Sequence, residues 1–134
     1  MPEINFMPKT CGIVDERSEI ASIYKGVAQN DVGMFTDVID NVPKEVGINM
    51  LLRSMAPDII VCDEIGKKED VLAIEKMMLS GVKGIFTAHA GSFFELNQNE
   101  NLRKIIENKI IKKIIILDKR EKGKIKEMID LEKI

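Results

Sequence analysis

Short apolar runs, each closed by charge, alternate along this chain with stretches of helical spacing. Cys11-Gly-Ile-Val14 ends in Asp15-Glu16, and Ile59-Ile-Val-Cys62 ends in Asp63-Glu64. Continuous apolar runs of this length between polar flanks predict buried strands. Residues 82–87 predict a third, and Ile110-Ile111 together with 114–117 predict a fourth. Pro43 predicts the start of a helix running to about Met55, capped by Asn41 or Val42, with Val46, Met50, Leu51 and Leu52 turned inward. Pro57 keeps that helix from continuing into the next strand. A second helix is predicted over 68–80, where Val71, Ile74 and Met78 share a face and Gly81 supplies the stop. Helical spacing returns at 93–96 and 102–107, with Asn101 as the expected cap of the second piece.

Three segments are less regular. Residues 1–10, with Pro2 and Pro8, read as an irregular lead-in to a domain covering 11–134. Gly26, Asn30-Asp31 and Gly33 punctuate residues 24–40, which predicts an extended loop with room for a short helix or strand inside it. Residues 123–134 admit either a hairpin through Glu121-Lys122-Gly123 or a terminal helix, and the spacing of Ile125, Met128 and Ile129 slightly favours the helix. Strands alternating with helices predict an α/β fold with a mostly parallel sheet and right-handed crossovers.

Composition narrows the class. A chain of 134 residues buries roughly 68% of its unfolded surface. With 45% hydrophobic but only 4% aromatic residues, its core must rest on Ile, Val, Leu and Met. No membrane span or signal peptide is expected, since Met1-Pro2-Glu3-Ile4 lacks a basic region followed by an apolar one, and a cytoplasmic location follows as the expectation. The net charge of −2 hides an asymmetry: residues 103–134 carry 11 basic and 6 acidic side chains. Lysines on helices and edge strands serve solubility, and the scarcity of aromatic rings disfavours stacking on single-stranded nucleic acid. Cys11 and Cys62 form no C-x-x-C pair and read as reduced core residues.

The carboxylates carry the candidate chemistry. A strand in a parallel sheet delivers its last side chains to the carboxyl edge, where ligands bind. Asp63-Glu64 is Walker B-like: one carboxylate suits Mg²⁺ and the next suits orientation of an attacking water. The bland alternative is a solvated corner. Asp15-Glu16 repeats the pattern, and if the two strands are neighbours both pairs open on one edge and form a negative pocket for a divalent cation. His89 lies two residues past the predicted strand 82–87 and would face that edge, in a position to hydrogen-bond a γ-phosphate or a water. Arg53, near the end of the first predicted helix, suits a phosphate, Asp58 or the helix carboxyl end equally. One His and two unpaired Cys exclude a standard zinc ligand set. The phosphate cradle Gly-x-x-x-x-Gly-Lys-Ser/Thr occurs nowhere in the 134 residues.

The order of these pieces is specific. Val14-Asp-Glu-Arg-Ser-Glu-Ile20, Gln29-Asn-Asp-Val-Gly33, Thr36-Asp-Val-Ile-Asp40, Pro43-Lys44, the run from Leu52 to Val61, Asp63-Glu-Ile-Gly66 with Glu69-Asp70, and Thr87-Ala-His89 together resemble the stage III sporulation protein AA family over about residues 11–130. The resemblance implies a P-loop ATPase related to the secretion ATPases of type II and type IV systems, with ATP and Mg²⁺ as cofactors. It implies Asp63 in the magnesium coordination, Glu64 polarising the hydrolytic water, Glu16 in the acidic box, His89 in the histidine box and Thr87 beside it at the nucleotide. Arg53 falls in a superfamily segment by resemblance alone. Oligomers such as hexameric rings, and sporulation channel proteins between mother cell and forespore, are the implied partners.

Three departures qualify the resemblance. The 134 residues correspond to the C-terminal part of a RecA-like P-loop core without its P-loop strand, so efficient hydrolysis by this chain alone is not expected. Phe35 stands where related sequences often carry a basic residue. Residues 1–10 match nothing in the family. In the complete core, the P-loop strand sits between the strand leading to His89 and the strand of Ile114. Unpaired buried strands lose about 1–3 kcal/mol per unsatisfied group, so either the Ile114 strand closes on the 82–87 strand or a second copy covers the edge. A non-enzymatic interaction module and a nucleic-acid-binding relative are the alternative functions.

Overall fold

A computed structural model describes residues 9–33, 35–54 and 56–133. Strands β1 (Cys11–Asp15), β4 (Thr36–Asp40), β5 (Ile59–Cys62) and β6 (Lys83–Phe86) form one parallel sheet in the order β4-β1-β5-β6. Register is tight, with Cys11 opposite both Thr36 and Ile59, and Val14 opposite both Ile39 and Cys62. Helices α1 (Lys44–Ser54) and α2 (Lys68–Leu79) pack on each other and on the sheet. Two shorter helices follow, α3 (Phe93–Gln98) and α4 (Glu100–Glu107), and α4 packs on α2. The chain is therefore α/β, a parallel sheet flanked by helices, consistent with a partial RecA-like core.

Strands β1, β5 and β6 form where expected, their successive side chains facing opposite layers. Val14, Ile60 and Cys62 are fully buried in a cluster with Ile48 and Leu51 of α1 and with Val71, Ile74 and Met77 of α2. Close approach of α1 to β1 depends on two glycines. A Cβ on Gly12 would lie 2.7 Å from Leu51 Cδ1, and one on Gly47 would lie 2.6 Å from Val14 Cγ1. This contact sets the rotation of α1. Its inward stripe is Lys44, Gly47, Ile48 and Leu51, while Val46 and Met50, expected inside, are 43% and 48% exposed. Leu51 is buried as expected and Leu52 is partly buried against the cluster. In α2, Met77 takes the buried place expected for Met78, which packs partly against the core. Gly81 closes α2 with φ +82, the left-handed conformation that suits glycine.

Several boundaries differ from expectation. The loop reading of 24–40 gives way to a two-residue ribbon, β2 (Ile23–Tyr24) with β3 (Val27–Ala28), and to β4, a five-residue partner of β1. Its Val38-Ile39 pair supplied the apolar signal, outweighed by the turn residues before it. The cap of α4 is Asn99, whose side chain accepts from the Asn101 and Leu102 amides; Asn101 instead donates to the Gly66 carbonyl. Ile110-Ile111 precede the next strand and pack partly on the core.

Strands β7 (Lys113–Leu117) and β8 (Ile125–Asp130) form an antiparallel hairpin, settling the two readings of 123–134. A β-branched isoleucine run needs a ladder partner, which a terminal helix would deny it. The Asp118 N–H donates to the Lys124 carbonyl across the turn. The hairpin is separate from the main sheet, so the Ile114 strand does not close on β6. Among the described residues, the outer edge of β6 has no strand partner. The lead-in reading at 1–8 and the expected helix end at Met55 lie outside the described residues.

Candidate functional site

Because β1 and β5 are parallel neighbours, Asp15-Glu16 and Asp63-Glu64 leave the sheet on the same edge. The four carboxylates then part company. Asp15 is fully buried and accepts from the amides of Glu19, Ile20 and Ala21, so it anchors the loop after β1. Asp63, also buried, accepts from the Glu16 amide at 3.2 Å and the Arg17 amide at 3.3 Å, tying the two strand exits together. Glu16 and Glu64 are the carboxylates that reach the cleft.

Glu64 stands in a left-handed conformation, φ +36, rare for a residue with a side chain. Such strain costs on the order of 1–3 kcal/mol and persists where surrounding bonds impose it. Here Thr87 imposes it, its Oγ1 accepting from the Glu64 amide at 2.8 Å and its carbonyl from the Ile65 amide at 2.8 Å. The Glu64 carboxylate meets Arg17 Nη1 at 3.0 Å and His89 Nε2 at 3.9 Å. His89 itself is 92% exposed.

On the other wall, Lys44 Nζ donates to Glu16 Oε2 at 2.6 Å from an almost fully buried position. Burial pushes a lysine ammonium down, but the Glu16 hydrogen bond and the charges of Asp70, Glu16 and Asp63 outweigh it and raise the Lys44 pKa above the ordinary 10.5. Asp70 is buried as well and accepts from the Gly66 and Lys67 amides at the start of α2. Glu16, Arg17, Lys44, Glu64, Lys67 and His89 thus line a solvent-open cleft of about 230 Å³. Cations outnumber carboxylates on its walls, which suits an anionic ligand.

The structure brings Glu16, Glu64 and His89 to one cleft, with Thr87 and Asp63 holding its backbone. Arg53 is elsewhere. It lies in the last turn of α1, nine residues beyond Lys44, or about 13 Å along the helix at 1.5 Å per residue. Asp58, one of its three expected partners, is engaged by Thr10, whose N–H and hydroxyl hold the carboxylate below its usual range. Arg17, Lys44 and Lys67 were not singled out in the sequence. Lys44 did carry a signal, because a lysine in the first turn of a helix opposes the helix dipole and needs a compensating partner.

A protein-built magnesium centre does not fit these residues. Both Asp63 oxygens accept backbone amides, the nearby Glu16 is paired with Lys44, and no group of three possible ligands occurs among the described residues. The cysteines are both free. Burial pushes the Cys62 thiol up to about 12 and raises that of Cys11.

Comparison with known proteins gives these features a setting. Residues 4–133 match the family described as Sporulation stage III, protein AA, which corrects the expectation that residues 1–10 match nothing in it. The chain is 39% identical over 119 residues to the Stage III sporulation protein AA of Bacillus subtilis (strain 168). That stretch is 89% of this chain, which spans only 38% of the relative's length. Residues that build the cleft, from Glu16 to His89, all fall inside the matched range, and the chain belongs to the Sporulation stage III, protein AA family.

Proposed function

We propose that the cleft is the Walker B and histidine-box side of a nucleotide-phosphate site in a sporulation ATPase of the secretion superfamily. The observation that carries this reading is the convergence of Glu16, Glu64 and His89 on one cleft at the carboxyl edge of a parallel sheet. In it, Arg17 and Lys67 attract the polyphosphate, and Arg17 leaves the Glu64 carboxylate for a phosphate oxygen. Glu64, freed and held by its strained backbone, orients a water for in-line attack, while His89 donates to the terminal phosphate. Glu16 stays fixed by Lys44. Phosphoryl transfer depends mainly on positioning and charge stabilisation, and the 134 residues contain no Gly-x-x-x-x-Gly-Lys cradle, so this chain alone turns over ATP no faster than background. We place the site in a homo-oligomer that works with channel proteins at the membrane between mother cell and forespore. No helix among the described residues is long and apolar enough to cross a membrane.

A second reading, a non-enzymatic interaction module, is favoured by the open edge of β6 and by the hairpin face on which Ile115, Leu117, Ile125 and Met128 are each at least half exposed. Equilibrium binding of a fluorescent ATP analogue separates the two. The nucleotide reading expects weak binding that Arg17→Ala and His89→Ala reduce severalfold and Arg53→Ala leaves alone. Equal affinity in all four proteins would remove the cleft from consideration, and magnesium-dependent turnover abolished by Glu64→Gln would show the site to be complete without a cradle.

A further inference from the structure

We infer that the outer face of the β7–β8 hairpin is a docking surface for an anionic lipid bilayer. A β-bulge builds that face. Ile125 and Met128 lie three residues apart, a spacing that puts side chains on opposite faces of a regular strand. The register shifts between Ile116 and Leu117, so that Met128 stands opposite Ile115 and Ile125 opposite Leu117. Lys126 is the extra residue, and the bulge returns Ile125 to the face of Met128. Two adjacent apolar pairs result, Ile115 with Met128 and Leu117 with Ile125, their members between 50% and 60% exposed. The opposite face carries Ile114, Ile116 and Ile129, all buried or half-buried, so the hairpin already has an inward side.

Charge and chemistry select the partner. Residues 112–130 carry 7 basic and 4 acidic side chains, in a chain whose net charge is −2. Lys113, Arg120, Lys122 and Lys126 are exposed and have no ion-pair partner among the described residues, whereas Lys124 pairs with Glu121 at 2.9 Å. A second copy seated on the same face would bring those cations together, and four side chains fall short of the roughly 800 Å² that each partner gives to a stable protein interface. Nucleic acid is poorly served, because residues 113–130 contain no aromatic ring on which a base could stack. A bilayer surface asks for less. Apolar tips enter the boundary between headgroups and acyl chains, while lysine and arginine stems lie along apolar surface and hold their charges at anionic headgroups. None of these residues lines the cleft, so the inference stands whichever reading of the cleft holds.

Sedimentation of the full chain with phosphatidylcholine vesicles, with and without phosphatidylglycerol, tests it. Binding is expected on the anionic vesicles alone, weakening as salt rises. Lys122→Gln and Lys126→Gln should each weaken it about fivefold, the worth of one lysine near an anionic surface. Leu117→Ser combined with Met128→Ser should abolish it. No binding, equal binding to both vesicles, or a folded serine variant that binds like the wild type overturns the inference. A dimer seen by light scattering and lost in the serine variant would give the face to a second copy, and single-stranded DNA binding lost in the glutamine variants would give it to nucleic acid; either result overturns the inference. Should the serine variant not fold, amide shifts of the wild type with phosphatidylglycerol-containing bicelles decide. Changes concentrated at residues 113–128 uphold the inference, and changes elsewhere or none overturn it.

Discussion

Lys44 Nζ lies 2.6 Å from Glu16 Oε2, which pairs the almost fully buried first residue of α1 with the partly exposed first residue beyond β1. Removing Lys44 leaves Glu16, partly open to solvent, without its charged hydrogen-bond partner, a loss of about 1–3 kcal/mol and smaller than that of a fully buried pair. Lys44→Met should show a loss of that size in urea unfolding at neutral pH. The pH dependence has a definite sign. The folded pKa of Lys44 is raised above 10.5, so its stabilisation is fully present below that value and is lost as pH climbs through the folded one. Unfolding free energy should therefore fall above about pH 10.5 in the wild type, with a component missing from Lys44→Met.

Asp15 tests the loop after β1. Its buried carboxylate accepts from three consecutive amides, and Asp15→Asn turns one acceptor into a donor facing those N–H groups. Leaving buried amides unsatisfied costs about 1–3 kcal/mol each. The variant should lose about 2–4 kcal/mol in urea unfolding, a range that covers one or two such groups. Amide exchange of residues 19–21 should speed up with it.

How far the sequence was legible is clear from such cases. Strands β1 and β5 and helix α2 could be read because apolar runs and helical spacing there leave one answer. The face of α1 could not, because Gly47 rather than a large apolar residue marks its contact with β1, and spacing rules do not weigh a glycine. Within the site, the shared edge followed from strand exits, whereas the split between Asp63, bonded to amides, and Glu64, facing the cleft, depends on a backbone conformation no motif encodes. Arg53 was placed by resemblance and lies about 13 Å along α1 from the cleft-lining Lys44.

Gly47→Ala reverses a usual rule. In an open helix the change gains up to about 1 kcal/mol. Here the new Cβ would sit 2.6 Å from Val14 Cγ1 and 3.2 Å from its Cγ2, and Val14 is fully buried between sheet and helix. Overpacking of about 1–3 kcal/mol should outweigh the gain. A Val14→Ala change should cost less in the Gly47→Ala background than in the wild type, as a double-mutant cycle would show.

Cys62, with its thiol pushed up to about 12 and no exposure, should resist a thiol reagent at pH 8 until the protein unfolds. Cys11, only partly buried at the start of β1, should react first. Native-state labelling followed by peptide mass mapping gives the order.

The most direct measurement is an amide chemical-shift map of the chain titrated with ATP. Perturbations should concentrate at Glu16, Arg17, Glu64 to Lys67 and Thr87 to His89, with Arg53 and the β7–β8 hairpin still. Shifts confined to the hairpin or to the amino edge of the sheet, or none at saturating nucleotide, would contradict a phosphate site in the cleft.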